Sequence, residues 1–190
     1  GKEEFSAINR PSIMAAMDAR KDTPAAAKNF LKTMRGLFAW AVDAEYIKTD
    51  PTAGIKSKLP RSNGFHVWTQ AEVDKFEARW PIGTRERLAL CILKYTMLRR
   101  GDAAKLGRQH IKDGGISIQT EKTGSWVHIP VHPELAAAID ALPVRGLSLI
   151  AKAGGSPFSK EAFGNWFKEA CVAAGVPGSA HGLRKYTATY

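Results

Sequence analysis

The chain has 190 residues, a formal net charge of +10, a sequence pI near 9.8, an apolar fraction of 44% and a mean hydropathy of −0.24. That length suits one large domain or two small ones, and no apolar run approaches the ~18–20 residues that a membrane span needs. The polar start Gly1-Lys2-Glu3-Glu4 does not read as a secretory signal. Cys91 and Cys171 lie within apolar helical patterns and are expected to be reduced core residues, which fits a reducing cytoplasm.

A chain this basic repels itself, and a polyanion such as nucleic acid is the usual offset; charge kept for solubility is the plainer alternative. Residues 1–62 hold 11 Lys and Arg against 7 Asp and Glu (+4), and the remainder holds 17 against 11 (+6). The excess is spread along the chain, so both halves are expected to touch the polyanion.

In chain order, Ile13, Met14 and Met17 predict a short helix over 11–20. Thr23-Pro24 reads as a hydroxyl N-cap followed by proline at the first helical position. From there Phe30, Leu31, Met34, Leu37, Phe38, Ala41 and Val42 recur every three or four residues, predicting an amphipathic helix of over five turns. Lys28, Lys32 and Arg35 lie largely off that stripe. Asp50-Pro51 ends the segment. Such a helical module suits DNA clamping and protein interaction equally. Residues 56–66 are polar, basic and broken by Pro60 and Gly64, and read as an inter-domain linker whose Lys56, Lys58 and Arg61 can lie along phosphates.

Beyond it, Thr69-Gln70-Ala71-Glu72 is a capping box opening a helix to about Arg79. A second helix from Thr84 buries Leu88, Cys91, Ile92 and Tyr95 and stops near Met97-Leu98-Arg99; Gly101-Asp102 then begins a short one through Leu106. Alternating Ile116 and Ile118, a turn at Glu121-Lys122-Thr123-Gly124 and the run 126–131 predict a β-hairpin with Lys122 near its tip. Pro133 opens a helix through Leu142. Ser159 caps one that buries Phe163, Trp166, Phe167, Ala170 and Cys171 and ends at Gly175-Val176-Pro177. His181 to Tyr190 begins a last helix.

Taken singly, Arg99 and Arg100, Lys122, and His181 with Arg184 read as surface charge, dipole partners or caps. Together and in this order, Thr96-Met97-Leu98-Arg99 followed by Gly101-Asp102, then Thr120-Glu121-Lys122-Thr123-Gly124, then His181-Gly182-Leu183-Arg184 resemble the tyrosine recombinase (phage integrase) family. Met97 stands where that family usually has glycine. The resemblance covers nearly the whole chain. It implies a mainly α fold: a helical core-binding (SAM-like), DNA-clamping domain over 1–60, a linker at 61–66, and a mostly helical integrase catalytic domain with a small antiparallel sheet over 67–190, C-terminally incomplete.

The same resemblance implies strand cleavage and rejoining through a 3′-phosphotyrosyl link, without metal, nucleotide or other cofactor. Arg99 and Arg184 would hold the non-bridging phosphate oxygens, Lys122 would protonate the leaving 5′-oxygen, His181 would help take the tyrosine proton, and Asp102 would support the site. Arg100 and Lys185 join the linker and helical cations as DNA contacts. Double-stranded DNA is the expected partner, with a tetramer on DNA and a cytoplasmic, nucleoid-associated place in a bacterium or phage-infected cell. The family's nucleophile lies well beyond its His-x-x-Arg box. Tyr186 and Tyr190 fall within the helix that Arg184 opens, and Tyr46 and Tyr95 sit in apolar stripes, so none is expected to attack. Two rivals stay open: a type IB topoisomerase, and a catalytically silent DNA-binding protein on the same scaffold. His110, His128 and His132 match nothing in this pattern, and His128 and His132 lack carboxylate or cysteine partners at ligand spacing, so no metal site is expected.

Overall fold

The computed structural model describes residues 7–56, 64–143 and 146–189. Lys58, Arg61 and Tyr190 lie outside the described residues. The chain divides into two compact units, 1–62 and 63–190.

In the first unit, α1 (Arg10–Asp18) opens on a reciprocal capping box between Asn9 and Ser12. The second helix, α2 (Pro24–Asp43), packs against it. Ile13, Leu31, Phe38 and Ile55 form the core, with Ile8, Met17, Phe30, Met34 and Ile47 against it. The expected pattern differs in places: Met14 and Leu37, placed on the apolar faces, are exposed at the edges of the small core. Thr23 does not cap α2, because its hydroxyl donates to the Arg20 carbonyl instead. Tyr46 is 69% exposed rather than core, resting its ring on Trp40 with centroids 5.3 Å apart; the helix has already ended at Asp43, so the stripe no longer governs where Tyr46 points. The chain after α2 returns to the helices through Arg10, which donates to the Ala53 carbonyl, and Arg35, which donates to that of Ile55.

The second unit is built around α4 (Arg85–Thr96), where the whole run Leu88–Leu93 is buried. The predicted stripe was one-sided. The helix is in fact surrounded, since α5 (Arg100–Lys105), α6 (Pro133–Asp140), α7 (Lys160–Ala173) and α8 (Ala180–Thr187) all pack on it. Helix α3 (Gln70–Arg79) adds Val73 and Phe76 to this core and starts on the predicted Thr69–Glu72 box. The hairpin of β2 (Gly115–Gln119) and β3 (Trp126–Pro130) pairs Ile116 with Ile129 and Ile118 with Val127. A two-residue strand, β1 (Ile111–Lys112), joins its edge and makes a three-stranded antiparallel sheet. Helix α6 stops two residues short of Leu142, and α8 begins at Ala180 with Ser179 as its cap. Cys91 and Cys171 are buried free thiols; burial pushes Cys171 up to about 12.

The departure at Met97 has a visible physical meaning. Thr96 closes α4 by donating its hydroxyl to the Ile92 carbonyl and accepting the Leu98 N–H at 3.2 Å. The chain then reverses through Met97 in the left-handed region, φ 52° and ψ 20°. Glycine adopts that conformation without steric cost, whereas an L side chain there costs roughly 1 kcal/mol or more. Met97→Gly is therefore expected to raise stability by up to about 1 kcal/mol, the relief being offset in part by the looser unfolded chain. Urea unfolding checks this, and a destabilised variant would mean that the Met97 side chain contributes more than its strained backbone loses.

Candidate active site

Three stretches separated in sequence meet beside α4. The reversal at Met97 buries Leu98 and leaves Arg99 extended (φ −67°, ψ 153°) ahead of α5, with no capping role for its side chain. On α8, His181 and Arg184 are three residues apart and share a face, while Leu183 between them is fully buried. Arg99, His181 and Arg184, with Arg100, line one cavity of about 360 Å³. Arg99 also lines a second, of about 290 Å³, with Asp102 and Lys122. A third holds Arg99, Asp102 and Arg184 beside the sheet residues Thr120, Thr123 and His128. Arg99 is thus the shared wall of all three.

Asp102 is 2% exposed and accepts the Glu121 N–H at 2.8 Å. One buried carboxylate thereby ties the start of α5 to the hairpin turn, so Lys122 is presented on the same side as Arg99. Arg100 folds across Gly164 of α7, where an added Cβ would lie 2.6 Å from the Arg100 side chain.

The glycine of His-Gly-Leu-Arg is a matter of space. An added Cβ at Gly182 would sit 1.9 Å from the His66 carbonyl oxygen, and one at Gly178 would sit 2.2 Å from the Trp68 ring. These two glycines let the strap 64–68 lie directly on the start of α8, where the Trp68 indole donates to the Ser179 carbonyl at 3.0 Å. The strap places Phe65 against the His181 ring, centroids 4.5 Å apart. Burial, then the positive charges of Lys185 and Arg184, push the His181 pKa below the ordinary imidazole value. The ring is accordingly neutral near pH 7 and able to accept a proton. A depressed folded-state value means that its contribution to stability is present above the unfolded pKa and lost as pH falls through the folded one. An NMR titration is expected to place His181 below a free imidazole, with Phe65→Ala moving it back up by removing the apolar ring that packs on this otherwise exposed residue. An unmoved midpoint would assign the shift to the charges instead.

The other predicted cations are dispersed. Lys28 and Lys32 are exposed on α2, and Lys56 is exposed beyond it. Arg35 is exposed but spends a guanidinium N–H on Ile55. Lys185 is exposed near Gly64. Tyr186 is buried and donates to the Gln70 side chain, and Tyr95 stacks on His132 at 3.9 Å and donates to Glu134. No described tyrosine lines any of the three cavities. Among the described residues, no three His, Cys, Asp or Glu side chains cluster at metal-binding range, and no helix is long and apolar enough to cross a membrane.

Sequence reasoning missed Lys160, which lines both the Arg99–His181–Arg184 cavity and the Arg99–Lys122 cavity. It is the first residue of α7, where the helix dipole disfavours a cation. That local mismatch was the available signal. Its counter-charge is Glu121, whose carboxylate contacts Lys160 at 3.1 Å and Lys105 at 2.9 Å. Hydrogen bonds from Lys105 and Lys160 lower the Glu121 pKa, and the bond to Glu121 raises that of Lys160.

No protein-family model matches the chain, and comparison with curated proteins gives no match. Solved structures do match. A lambda integrase dimer bound to a COC′ core site superposes with a TM-score of 0.82 at 23% identity, over 96% of this chain and 73% of that one. A lambda integrase tetramer bound to a Holliday junction gives 0.81 at 25%, over 96% and 59%. The Tn1549 transposon integrase in complex with transposon right end DNA gives 0.74 at 14%, over 100% and 74%. Against the lambda tetramer chain, the sequence spans under two thirds of the length. The architecture is the mainly α integrase fold with its small antiparallel sheet.

Proposed function

We propose that this chain, which has the fold of the tyrosine recombinases, is a site-specific DNA recombinase that grips the phosphodiester undergoing strand exchange. The observation that carries the reading is the convergence of Arg99, His181 and Arg184 on one cavity, with Lys122 on a second cavity that shares Arg99.

The chemistry follows from the residue types. Two planar guanidiniums can each hold a non-bridging oxygen and offset the charge that builds there during attack. His181, its pKa lowered by burial and by its cationic neighbours Lys185 and Arg184, accepts the proton of an attacking tyrosine hydroxyl. The bond from phosphorus to the 5′-oxygen breaks as the 3′-phosphotyrosyl bond forms, and Lys122 supplies the proton to the departing oxygen. A 5′-hydroxyl from another strand reverses the step, so the bond energy is stored covalently and no nucleotide is consumed. Asp102 acts through position, by holding the Lys122 turn. The helical unit 1–60, with Lys28, Lys32 and Lys56, would follow phosphates on the duplex, where most contacts position rather than specify. Dimeric and tetrameric assemblies of the structural neighbours on DNA support a similar assembly here.

A catalytically silent DNA-binding protein is the second reading, favoured by the absence of a described tyrosine from the three cavities. Nicked duplex carrying a candidate site separates the two readings. The chain, and a version extended at its C-terminus, are incubated with it and run on a denaturing gel. A slower covalent band from the extended version alone is expected. Salt-sensitive binding with no band from either would support the silent DNA-binder, and no binding at all would reject both.

A further inference from the structure

Lys160 has no role in the scheme above, yet it stands where that scheme needs positive charge. It lines two of the three cavities that contain Arg99. Among the described residues lining the three cavities the acids are Asp102 and Glu121. Asp102 is buried and committed to the Glu121 N–H. Glu121 is therefore the solvent-facing anion in a group that includes Arg99, Lys122, Lys160 and Arg184.

We infer that Lys160 is a further phosphate-binding residue of this site, and that Glu121 is its resident counter-anion, exchanged for a DNA phosphate when the duplex docks. The Lys160 and Glu121 side chains are 50% and 42% exposed, so water and salt screen their attraction and the pair is exchangeable. A phosphate brings more negative charge than a carboxylate and releases condensed counterions on binding, which the internal pair does not. Lys105 holds the other Glu121 oxygen at 2.9 Å, so the carboxylate keeps a partner when Lys160 turns to the DNA. Glu121 thus weakens the free site's hold on any anion that cannot displace it. The inference rests on the DNA reading above.

The test uses the 190-residue chain and a fluorescent duplex, with affinity measured over a series of salt concentrations. Wild type, Glu121→Gln, Lys160→Gln and the double variant are compared. Glu121→Gln is expected to bind about three- to tenfold more tightly. Lys160→Gln is expected to bind more weakly, with the slope of log K against log salt reduced by about 1, as for loss of one phosphate contact. In the Lys160→Gln background the gain from Glu121→Gln should shrink to about twofold or less. A Lys160→Gln variant with unchanged affinity and slope overturns the inference. So does a Glu121→Gln gain that survives undiminished in the double variant, because Glu121 then acts by general repulsion or through Lys105. Thermal melts matching wild type exclude a folding defect. If wild type shows no salt-dependent duplex binding, the DNA reading itself fails; if wild type binds and Arg184→Ala weakens it while Lys160→Gln does not, only the role of Lys160 is lost.

Discussion

Arg99→Ala in a C-terminally extended chain should reduce the rate of covalent adduct formation on nicked duplex by about 10²–10³-fold or more, the range seen when one preorganised donor to a developing oxyanion is removed. Arg99 is the expected point of greatest sensitivity because it is common to all three cavities. Duplex affinity should change far less, with a loss of about 1 in the salt slope, since many other phosphate contacts remain. Arg99→Lys keeps the charge but loses the planar fork and is expected to rescue binding more fully than cleavage. Single-turnover cleavage and equilibrium binding separate the two effects. Equal adduct rates for wild type and Arg99→Ala would remove Arg99 from the reacting phosphate and, with it, the central residue of the assignment.

The second large effect concerns Gly182. Alanine there would place Cβ 1.9 Å from the His66 carbonyl oxygen, and that neighbour is backbone, which cannot rotate away. Relief requires the strap 64–68 to lift from α8, which disturbs the Trp68–Ser179 hydrogen bond and the Phe65 contact on His181. Overpacking of this kind costs typically 1–3 kcal/mol, and the upper end is expected here. Calorimetry should show a fall in Tm of roughly 10 °C. The same variant should move the His181 titration upward, because the Phe65 ring no longer packs against it. A melt within a degree or two of wild type would mean that the strap is held far more loosely than its contacts imply.

Gly182 and Met97 illustrate what was legible in the residues and what was not. The His-Gly-Leu-Arg stretch was visible as a motif, but its glycine carried no stated reason until the His66 carbonyl was found against it. Met97 was visible as a departure, and the left-handed φ at that position explains why glycine suits it. Tyr46 was misplaced because helical periodicity was extended past Asp43, beyond the end of the helix. Lys160 was overlooked because a lysine after an N-cap serine looks like any surface charge until its neighbours in space are known.

Local chemistry by itself determined the helices, their caps at Thr69 and Ser159, the hairpin, and the order of the candidate site residues. Those features depend on neighbours a few residues apart, through turn geometry, capping hydrogen bonds and apolar period. Tertiary structure alone decided that α4 is enclosed on several sides, that Arg99 faces Arg184 and Lys122 across adjoining cavities, and that Glu121 holds Lys160. The side-chain pairs among those facts lie more than twenty positions apart in the chain. Side-chain spacing along one element carries no information about such pairs, because they are set by how the helices pack against the common core.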